Sequence, residues 1–166
     1  MSSWRDGPVL VTGGGGFIGG AIVSRLLEQG VSVRSVSRQH YPHLEALGVE
    51  QVQGDLADKA VARRALIDCS AVFHVAALAG IWGDKTGFWR SNVAATDNLL
   101  SACASLGVTR FIFTSSPSII QGDEGCSGSD ESLAIPAQHR THYQASKALS
   151  EKRVLEAYCE SLRTVS

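Results

Sequence analysis

The feature that most constrains the fold of this chain is a glycine-rich segment between two apolar patterns. A short apolar run over residues 8–12 stops at four successive glycines, and Gly13, Gly16 and Gly19 recur at every third position as helical spacing begins. Glycine permits a tight turn, lets an anion approach the backbone closely, and here opens a helix whose first N–H groups lack partners. The segment predicts a strand, a phosphate-binding turn and a helix. A merely flexible turn is the alternative, and the strand-to-helix setting counts against it.

The same alternation of strands and helices continues along the chain. Short apolar or β-branched runs predict strands at 8–12, 31–36, 49–53, 71–75 and 109–114. Amphipathic spacing predicts helices at 17–29, 42–47, 58–68, 88–106 and 141–161. Asp58 is the expected N-cap of the third helix, and Gly107 is the expected stop of the fourth. This order is typical of an α/β fold with a doubly wound, Rossmann-like parallel sheet of five to six strands and helices on both faces.

Composition and charge argue against several classes of protein. The chain of 166 residues has a formal net charge of -1, so its overall charge does not favour binding to nucleic acid or to an anionic membrane. Its longest mostly apolar run, residues 71–83, is too short to span a bilayer, and no signal-peptide pattern opens the chain. The four cysteines are widely spaced, as is typical of reduced thiols. We therefore expect a cytoplasmic protein with no membrane span and no nucleic-acid partner.

The end of the second predicted strand indicates which dinucleotide the turn would bind. Folds of this kind recognise NAD through an acidic residue at that position, whereas an arginine accommodates the 2′-phosphate of NADP. Ser37 and Arg38 stand there, with no acid beside them. NADP(H) is therefore the favoured cofactor and NAD(H) the alternative, unless Arg38 is an ordinary solvated arginine.

A second group of residues indicates chemistry on an oxygen atom. Tyr143 and Lys147 lie four residues apart and share one face of the last predicted helix. An ammonium group near a phenol favours the ionised phenol, which makes a tyrosine useful for proton transfer near neutral pH. Ser115 and Ser116 follow the fifth predicted strand, at the edge of the sheet where such folds bind ligands. A solvated helix face and an ordinary turn are the alternatives.

These residues belong to a longer series of motifs that covers nearly the whole chain. In chain order the motifs are Thr12-Gly13-x-x-Gly16-x-x-Gly19, Gly54-Asp55-Leu56, His74-Val75-Ala76-Ala77, Asn92 with Thr96 and Asn98, Thr114-Ser115-Ser116, and Tyr143-x-x-x-Lys147. The series resembles the extended short-chain dehydrogenase/reductases. The segments 37–49, 54–58, 79–83 and 114–119 are most similar to the 3β-hydroxysteroid dehydrogenase group, and within it to the bacterial reductases of 2-alkyl-3-oxo acids.

The resemblance implies an NAD(P)(H)-dependent oxidoreductase acting on an apolar ketone or secondary alcohol, such as a 2-alkyl-3-oxo acid or a 3β-hydroxysteroid. It implies that Tyr143 is the general acid–base, that Lys147 holds the nicotinamide ribose and tunes Tyr143, and that Asn92 supports the active-site helix. Ser116, with Ser115 as its substitute, would hydrogen-bond the substrate oxygen. Asp55 and Leu56 would contact adenine. The implied cofactor-binding residues are Gly13, Gly16, Phe17, Ile18, Gly19, Ser37, Arg38, Asp55, Leu56, Ala76, Ala77, Tyr143 and Lys147.

The resemblance also implies a homodimer and a longer protein. Two copies would pair through the helices predicted at 88–106 and 141–161. The apolar positions offered for that contact are Leu99, Ala102, Leu106, Leu149, Val154 and Leu155. Family members are longer, so residues 1–166 are expected to form one NAD(P)-binding domain that stops at the start of a sixth strand, without the C-terminal substrate lobe. The activity of this chain alone is therefore in doubt, and a short natural product is the alternative.

Several other interpretations stay open. A nucleotide-sugar epimerase or dehydratase shares all of these motifs, and a dinucleotide-binding sensor or interaction module would keep the glycine turn without turnover. The pairs His40/His43 and His139/His142 have a spacing that metal sites use, but they lack a cysteine or carboxylate partner, so no metal is expected. An aromatic cluster after the fourth strand would either line an apolar entrance or anchor the core; its members are Ile81, Trp82, Phe88 and Trp89.

Overall fold

The structure, a computed structural model, describes residues 6–121, 128, 130 and 132–166. It contains a six-stranded sheet in which all neighbouring strands run parallel, in the order β3-β2-β1-β4-β5-β6. The strands are β1 (Val9–Thr12), β2 (Val33–Ser37), β3 (Glu50–Gln53), β4 (Ala71–His74), β5 (Arg110–Phe113) and β6 (Arg163–Val165). The strand order reverses between β1 and β4, and a parallel sheet with such a reversal binds its ligand in the crevice at the carboxyl ends of those strands.

Helices cover both faces of the sheet. They are α1 (Phe17–Glu28), α2 (Pro42–Ala46), α3 (Lys59–Leu66), α4 (Lys85–Phe88), α5 (Ala95–Leu106) and α6 (His142–Glu156). A π-helical turn (Trp89–Ala94) joins α4 to α5, and a 3₁₀ helix (Pro117–Ile120) follows β5. Val9 and Val11 of β1 pack with α1 and α2, whereas Leu10 packs with α3 and α5 on the opposite face. The doubly wound parallel fold predicted from the sequence is therefore confirmed.

Two local signals in the sequence have the predicted effect. The carboxylate of Asp58 accepts a hydrogen bond from the N–H of Ala60 at 2.8 Å, which caps α3. Gly107 ends α5 with a φ of 74°, a conformation that a side chain would strain. Across the described residues, no helix is both long and apolar enough to cross a membrane.

The bounds of two predicted helices are wrong. The helix predicted over 88–106 begins earlier, at Lys85, where Asp84 is the N-cap, and it contains the π-helical turn. The helix predicted over 141–161 ends at Glu156, because Cys159 and Leu162 then exchange two main-chain hydrogen bonds of 2.9 and 3.2 Å that turn the chain into β6. Between β5 and α6, residues 122–127, 129 and 131, which include Cys126, lie outside the described residues.

The apolar residues expected to pair two copies of the chain lie mostly in its own core. Leu99, Ala102 and Val154 are at most 6% exposed and pack with the sheet. Leu106 is partly buried against the same cluster, whereas Leu155 is 51% exposed. The expectation that Leu99, Ala102 and Val154 offer a dimer surface is therefore wrong, since their apolar area is already used on folding.

Candidate functional site

A cleft of about 670 Å³ lies at the carboxyl ends of β1, β2 and β4. Eleven of the thirteen residues that the sequence assigned to a cofactor line this one cleft: Gly13, Gly16, Phe17, Ile18, Gly19, Ser37, Arg38, Asp55, Leu56, Ala76 and Ala77. The other two, Tyr143 and Lys147, belong to α6 and lie outside its lining. The cleft is where the strand order reverses, so the fold itself accounts for its position.

The glycine turn is shaped by close backbone contacts. Gly13 has a φ of 70°, and a Cβ at Gly19 would collide with the main-chain oxygen of Gly13. The first main-chain hydrogen bond of α1 runs from the N–H of Gly20 to the oxygen of Gly16, at 2.8 Å. The N–H groups before it, including those of Phe17 and Ile18, therefore have no acceptor within the helix and can face an anion. Gly13 and Gly19 are thus required for packing as well as for ligand approach.

A tyrosine that the sequence analysis missed lies over this turn. A Cβ at Gly15 would stand 2.6 Å from three ring atoms of Tyr41, so the ring covers that glycine. Gln51 holds the main chain of Tyr41 from both sides, since its side chain accepts from the N–H at 2.9 Å and donates to the C=O at 3.0 Å. The one sign in the sequence that Tyr41 would form a wall of the cleft is its position three residues after Arg38.

The two residues expected at a 2′-phosphate differ in their freedom. Arg38 is exposed and lines the cleft. The hydroxyl of Ser37 instead donates to the main-chain oxygen of Gln39 at 2.6 Å, so its hydrogen is already engaged. As the structure stands, Arg38 is free to meet a phosphate, and Ser37 would first have to break its bond to Gln39.

Asp55, expected at the adenine, is held by two partners. One carboxylate oxygen accepts from the N–H of Ala57 at 2.9 Å, and the other accepts two bonds from Arg90 at 2.9 and 3.2 Å. The hydrogen bond from Ala57 lowers the pKa of Asp55, burial opposes it, and Arg90 and then Arg38 lower it further. Arg90 was not singled out from the sequence, because nothing in its local pattern distinguishes it from a solvated arginine.

Lys147 is a buried cation at the end of β5. Only 2% of the residue is exposed, and its Nζ donates to the main-chain oxygen of Thr114 at 2.6 Å. The same Nζ lies 3.9 Å from the centre of the Phe113 ring. Burial lowers the pKa of Lys147 to about 8, and the nearby Glu151 carboxylate opposes this. The lysine is thereby placed beside the sheet edge in a form that titrates close to neutrality.

Tyr143 lies one helical turn before Lys147 and is partly buried. Its ring packs against Phe88, with the ring centres 6.4 Å apart. Its main-chain oxygen accepts from the hydroxyl of Ser146 at 2.8 Å. Phe88 is itself 1% exposed, so the phenol stands beside an apolar wall.

Ser116 is held by a neighbouring serine. Its Oγ lies 2.8 Å from the Oγ of Ser118 and accepts the N–H of that residue at 3.3 Å, which caps the 3₁₀ helix. In the described part of the chain, no hydrogen bond joins Ser116 to Tyr143 or Lys147. The Oγ of Ser115 is buried and has no partner among the described residues. The contact with Ser118 has a signal in the sequence, because Ser118 stands two residues after Ser116, at the spacing from which an N-cap serine accepts a main-chain N–H.

Asn92 links the segment after β4 to α6. The residue is 2% exposed and lies on the π-helical turn. Its amide accepts from the N–H of Leu78 at 2.7 Å, donates to the oxygen of Leu78 at 3.1 Å, and donates to the hydroxyl of Ser146 at 2.9 Å. The sequence places Asn92 in an ordinary helix, whereas the wider turn allows its amide to reach both neighbours.

The aromatic cluster does not act as one unit. Phe88 is buried, whereas Trp82 is 90% exposed and Ile81 is 71% exposed. Trp89 is partly buried, with the ammonium of Lys85 5.0 Å from its ring centre. The core interpretation therefore holds for Phe88, and Ile81 and Trp82 remain candidates for an apolar entrance.

In the structure, His40 of the first histidine pair has side-chain neighbours of its own. His40 lies 3.2 Å from the side-chain nitrogen of Gln51 and 3.5 Å from a carboxylate oxygen of Glu45. Within the residues that the structure describes, no three His, Cys, Asp or Glu side chains are grouped as a metal ion would need.

The motifs and the cleft agree with a comparison against known families. The model of the 3-beta hydroxysteroid dehydrogenase/isomerase family matches residues 10–166. The chain belongs to this family. A 2-alkyl-3-oxoalkanoate reductase from Shewanella oneidensis is 42% identical over 147 residues, which are 89% of this chain and 38% of that protein. The reductase of the same name from Stenotrophomonas maltophilia is 42% identical over 162 residues, or 95% of this chain and 48% of that protein.

The chain shares its fold with solved nucleotide-sugar enzymes. The UDP-glucose 4-epimerase of Thermus thermophilus, in complex with NAD, matches 96% of this chain and 53% of its own, with a TM-score of 0.83 and 34% identity. A dTDP-glucose 4,6-dehydratase from Streptomyces venezuelae, with NAD bound, matches 94% of this chain and 53% of its own, with a TM-score of 0.81 and 27% identity. The chain thus spans about half the length, or less, of the proteins it matches.

Proposed function

We propose that this chain is the cofactor-binding part of an NAD(P)(H)-dependent oxidoreductase that transfers hydride between nicotinamide and an apolar ketone or secondary alcohol. A 2-alkyl-3-oxo acid is the favoured substrate, because the two reductases described above are 42% identical to this chain over the residues that match it. A 3β-hydroxysteroid is the related alternative, supported by the family match.

The observation that carries the proposal is the place of Lys147. Its buried ammonium group is bound to the main chain at the end of β5, one strand away from the cleft, and Tyr143 lies one turn earlier on the same helix. Burial of an ammonium group is costly, and a purely structural position would favour an apolar residue there. Its retention beside a tyrosine supports a role in proton transfer.

Each residue of the site would have one part in the reaction. Bound in the cleft, the nicotinamide would supply or accept the hydride. In ketone reduction Tyr143 would give its phenolic proton to the substrate oxygen, which becomes the alcohol hydroxyl. Ser116 would donate a hydrogen bond to that oxygen as negative charge develops on it, and Lys147 would stabilise the phenolate that remains. Asn92 would keep α6 in place.

The cleft also supports an NADP(H) preference. The two solved relatives described above hold NAD, which supports a nicotinamide dinucleotide in general. Arg38 is exposed at the rim, and Asp55, the carboxylate nearest to it in the cleft, is bound to Arg90. We therefore infer that Arg38 pairs with a 2′-phosphate, whereas Ser37 contributes only if its hydroxyl leaves Gln39.

The proposed function also bears on the domain organisation, the location and the oligomeric state of the protein. We infer that residues 1–166 form one NAD(P)-binding domain of a cytoplasmic enzyme that also has a substrate lobe. We also infer a homodimer through α5 and α6, in which exposed side chains such as Leu155, not the buried Leu99, Ala102 and Val154, make the contact.

A nucleotide-sugar epimerase or dehydratase is the second candidate. It is supported by the solved relatives with TM-scores of 0.83 and 0.81, one an epimerase and one a dehydratase. The exposed Arg38 counts against it, because by family resemblance such enzymes hold NAD tightly, without a 2′-phosphate.

One experiment separates the candidates. The protein in its complete length is mixed, in separate reactions, with NADPH and a 2-alkyl-3-oxo acid, with NADPH and a 3-oxo steroid, and with NAD⁺ and UDP-glucose, while NADPH absorbance and sugar products are followed. We expect NADPH oxidation with the oxo acid. Sugar interconversion without net NADPH oxidation would support the epimerase, and NADPH binding without any turnover would support a sensor or interaction module.

A further inference from the structure

We propose that His74 is a positioning residue that connects the cofactor cleft to the acid–base helix, as a neutral imidazole with its hydrogen on Nε2. The proposal rests on the proposed function in that it takes Tyr143 as the acid–base. His74 ends β4 at the centre of the sheet and is 1% exposed. His74 is not among the residues that line the cleft, and it makes no described contact with the phenol of Tyr143. Any effect of His74 on the reaction must therefore pass through its hydrogen bonds.

The first of these bonds has a direction that its neighbours determine. The hydroxyl of Thr12 accepts the N–H of Val75 at 3.0 Å and the N–H of Ala76 at 2.9 Å. With both lone pairs engaged, the hydroxyl must donate its own hydrogen to the Nδ1 of His74, 2.9 Å away. Nδ1 is therefore the acceptor nitrogen of the ring.

The second bond completes the assignment. The hydroxyl of Thr96 donates to the main-chain oxygen of Asn92 at 2.7 Å. Its hydrogen is thus used, and at 3.0 Å it must accept from the Nε2 of His74. An imidazole that accepts on Nδ1 and donates on Nε2 is neutral and has one tautomer.

The surroundings of the ring keep it neutral. Phe111 and Phe113 pack against it, with ring centres 5.8 and 5.6 Å away. Burial first, and then the positive charge of Lys147, together lower the pKa of His74 to about 3. Both effects act in the direction that the hydrogen bonds require.

On the cleft side, the chain of bonds ends at the wall of the glycine turn. Thr12 holds the N–H of Ala76, and a Cβ at Gly13 would stand 3.2–3.4 Å from atoms of Ala76. The segment after β4 is thereby pressed against the turn. His74 orients the Thr12 hydroxyl that holds it there.

On the side of Tyr143, the series of hydrogen bonds continues from His74 to α6. Thr96 binds the main chain of Asn92, whose amide binds Leu78 and donates to Ser146 at 2.9 Å. Ser146 in turn donates to the main-chain oxygen of Tyr143 at 2.8 Å. His74 thus binds Thr12, beside the cleft, through Nδ1, and it binds Thr96, on the side of α6 and Tyr143, through Nε2.

Nitrogen NMR of the histidine rings tests the tautomer directly in the 166-residue chain. At neutral pH we expect His74 to show one protonated nitrogen, Nε2, and one unprotonated nitrogen, Nδ1. A ring protonated on Nδ1, or on both nitrogens, would overturn the proposal. This measurement needs neither substrate nor turnover, so it is decided separately from the proposed function.

Two substitutions at His74 separate the two halves of this series of hydrogen bonds, the half at Thr12 and the half at Thr96. In His74→Asn the amide replaces Nδ1 and can still accept from Thr12, whereas in His74→Gln it reaches the place of Nε2 and can still donate to Thr96. Amide hydrogen exchange reports each half, because the N–H of Ala76 is bound to Thr12 and the N–H of Leu78 to Asn92. We expect exchange about tenfold faster at Leu78, but not at Ala76, in His74→Asn. In His74→Gln we expect the increase at Ala76, with Val75 on the same hydroxyl, but not at Leu78.

Kinetics of the complete protein extend the same comparison. His74→Asn should keep the NADPH dissociation constant and lower kcat about tenfold, and His74→Gln should weaken NADPH binding about tenfold with a smaller change in kcat. Leu66→Ala, in α3 and outside these bonds, is the control for lost stability. Equal changes at both amides in both variants, as in Leu66→Ala, would reduce His74 to an ordinary core residue. Absence of ketone reduction with the crossed exchange pattern intact would contradict the proposed function instead.

Discussion

The ammonium of Lys147 and the main-chain oxygen of Thr114 are joined by a hydrogen bond of 2.6 Å. Thr114 follows β5, and its own N–H is bound to the oxygen of His74 at 3.0 Å, so the lysine is attached to the sheet next to the carboxyl end of β4. Tyr143 precedes it by one turn of α6. This attachment sets where the phenol stands relative to the cleft, and it makes the pair the first target for mutation.

Tyr143→Phe should abolish ketone reduction in the complete protein, because the ring and its packing on Phe88 remain while the transferable proton is lost. The NADPH dissociation constant should change by less than about twofold, since a lost ligand bond would cost roughly tenfold. Stopped-flow NADPH oxidation and NADPH fluorescence titration measure the two quantities. Tyr158→Phe, a tyrosine 62% exposed beyond α6, is the matched control. Turnover retained in Tyr143→Phe would falsify its role.

Lys147→Ala should damage turnover and cofactor binding together. The ammonium is proposed to stabilise the phenolate and to hold the nicotinamide ribose, so one substitution removes both effects. We expect kcat to fall at least about a hundredfold and NADPH affinity to fall about tenfold. Lys152→Ala, on the exposed side of the same helix, is the control. Affinity unchanged in Lys147→Ala would confine the lysine to the chemical step.

Arg38→Ala should remove the preference for NADPH over NADH. The charged hydrogen bond to a 2′-phosphate is worth roughly 1.5–3 kcal/mol, so the ratio of the two dissociation constants should fall by about 10- to 150-fold. NADH binding itself should change little, because that cofactor lacks the phosphate. Titration of both nucleotides checks this, with Arg63→Ala on α3 as the control. Equal affinity for the two nucleotides before mutation would show that Arg38 is a solvated arginine.

Asn92→Ala should destabilise the fold and loosen α6. The substitution leaves the N–H of Leu78 and the hydroxyl of Ser146 without their partner in a buried place, which costs roughly 1–3 kcal/mol of unfolding free energy. Urea unfolding of the 166-residue chain measures the loss. Ser150→Ala removes a buried hydroxyl that binds only a helix carbonyl, and it should cost less. If both variants unfold at the same urea concentration, the amide of Asn92 is not the link described.

The sequence predicted the parts of this site that follow from local pattern. The spacing of Gly13, Gly16 and Gly19 and the order of strands were sufficient for the fold and the cleft, because a glycine turn between a strand and a helix has few structural solutions. The contact of Arg90 with Asp55 could not be predicted from the sequence. Side-chain partners far apart in the chain depend on how elements pack, which no local pattern records.

The same limit explains the errors in the dimer surface and in the active-site helix. Leu99 and Val154 follow a helical period on which core and interface residues look alike until the sheet is placed beside them. The π-helical turn around Asn92 has no local sequence mark, and the tertiary hydrogen bonds of its amide with Leu78 and Ser146 depend on how the elements pack.

The last prediction concerns pH and the stability of the fold. Burial holds the pKa of His74 at about 3 in the folded chain, against an ordinary value of 6.5 in the unfolded chain. Between these values the unfolded state binds a proton that the folded state does not, so the free energy of unfolding falls as the pH falls. The contribution of His74 is complete above pH 6.5 and is lost at up to about 1.4 kcal/mol per pH unit toward pH 3.

A comparison with His74→Gln isolates this effect, because all other titrating groups are common to both proteins. The variant is the less stable at neutral pH, since it loses the bond to Thr12. On going from about pH 8 to about pH 5, the difference in unfolding free energy should shift by about 2 kcal/mol in favour of the variant. Urea unfolding at a series of pH values measures it. A difference that stays constant with pH would mean that His74 keeps its ordinary affinity for protons, and that the hydrogen bonds described above do not hold its ring neutral below pH 6.5.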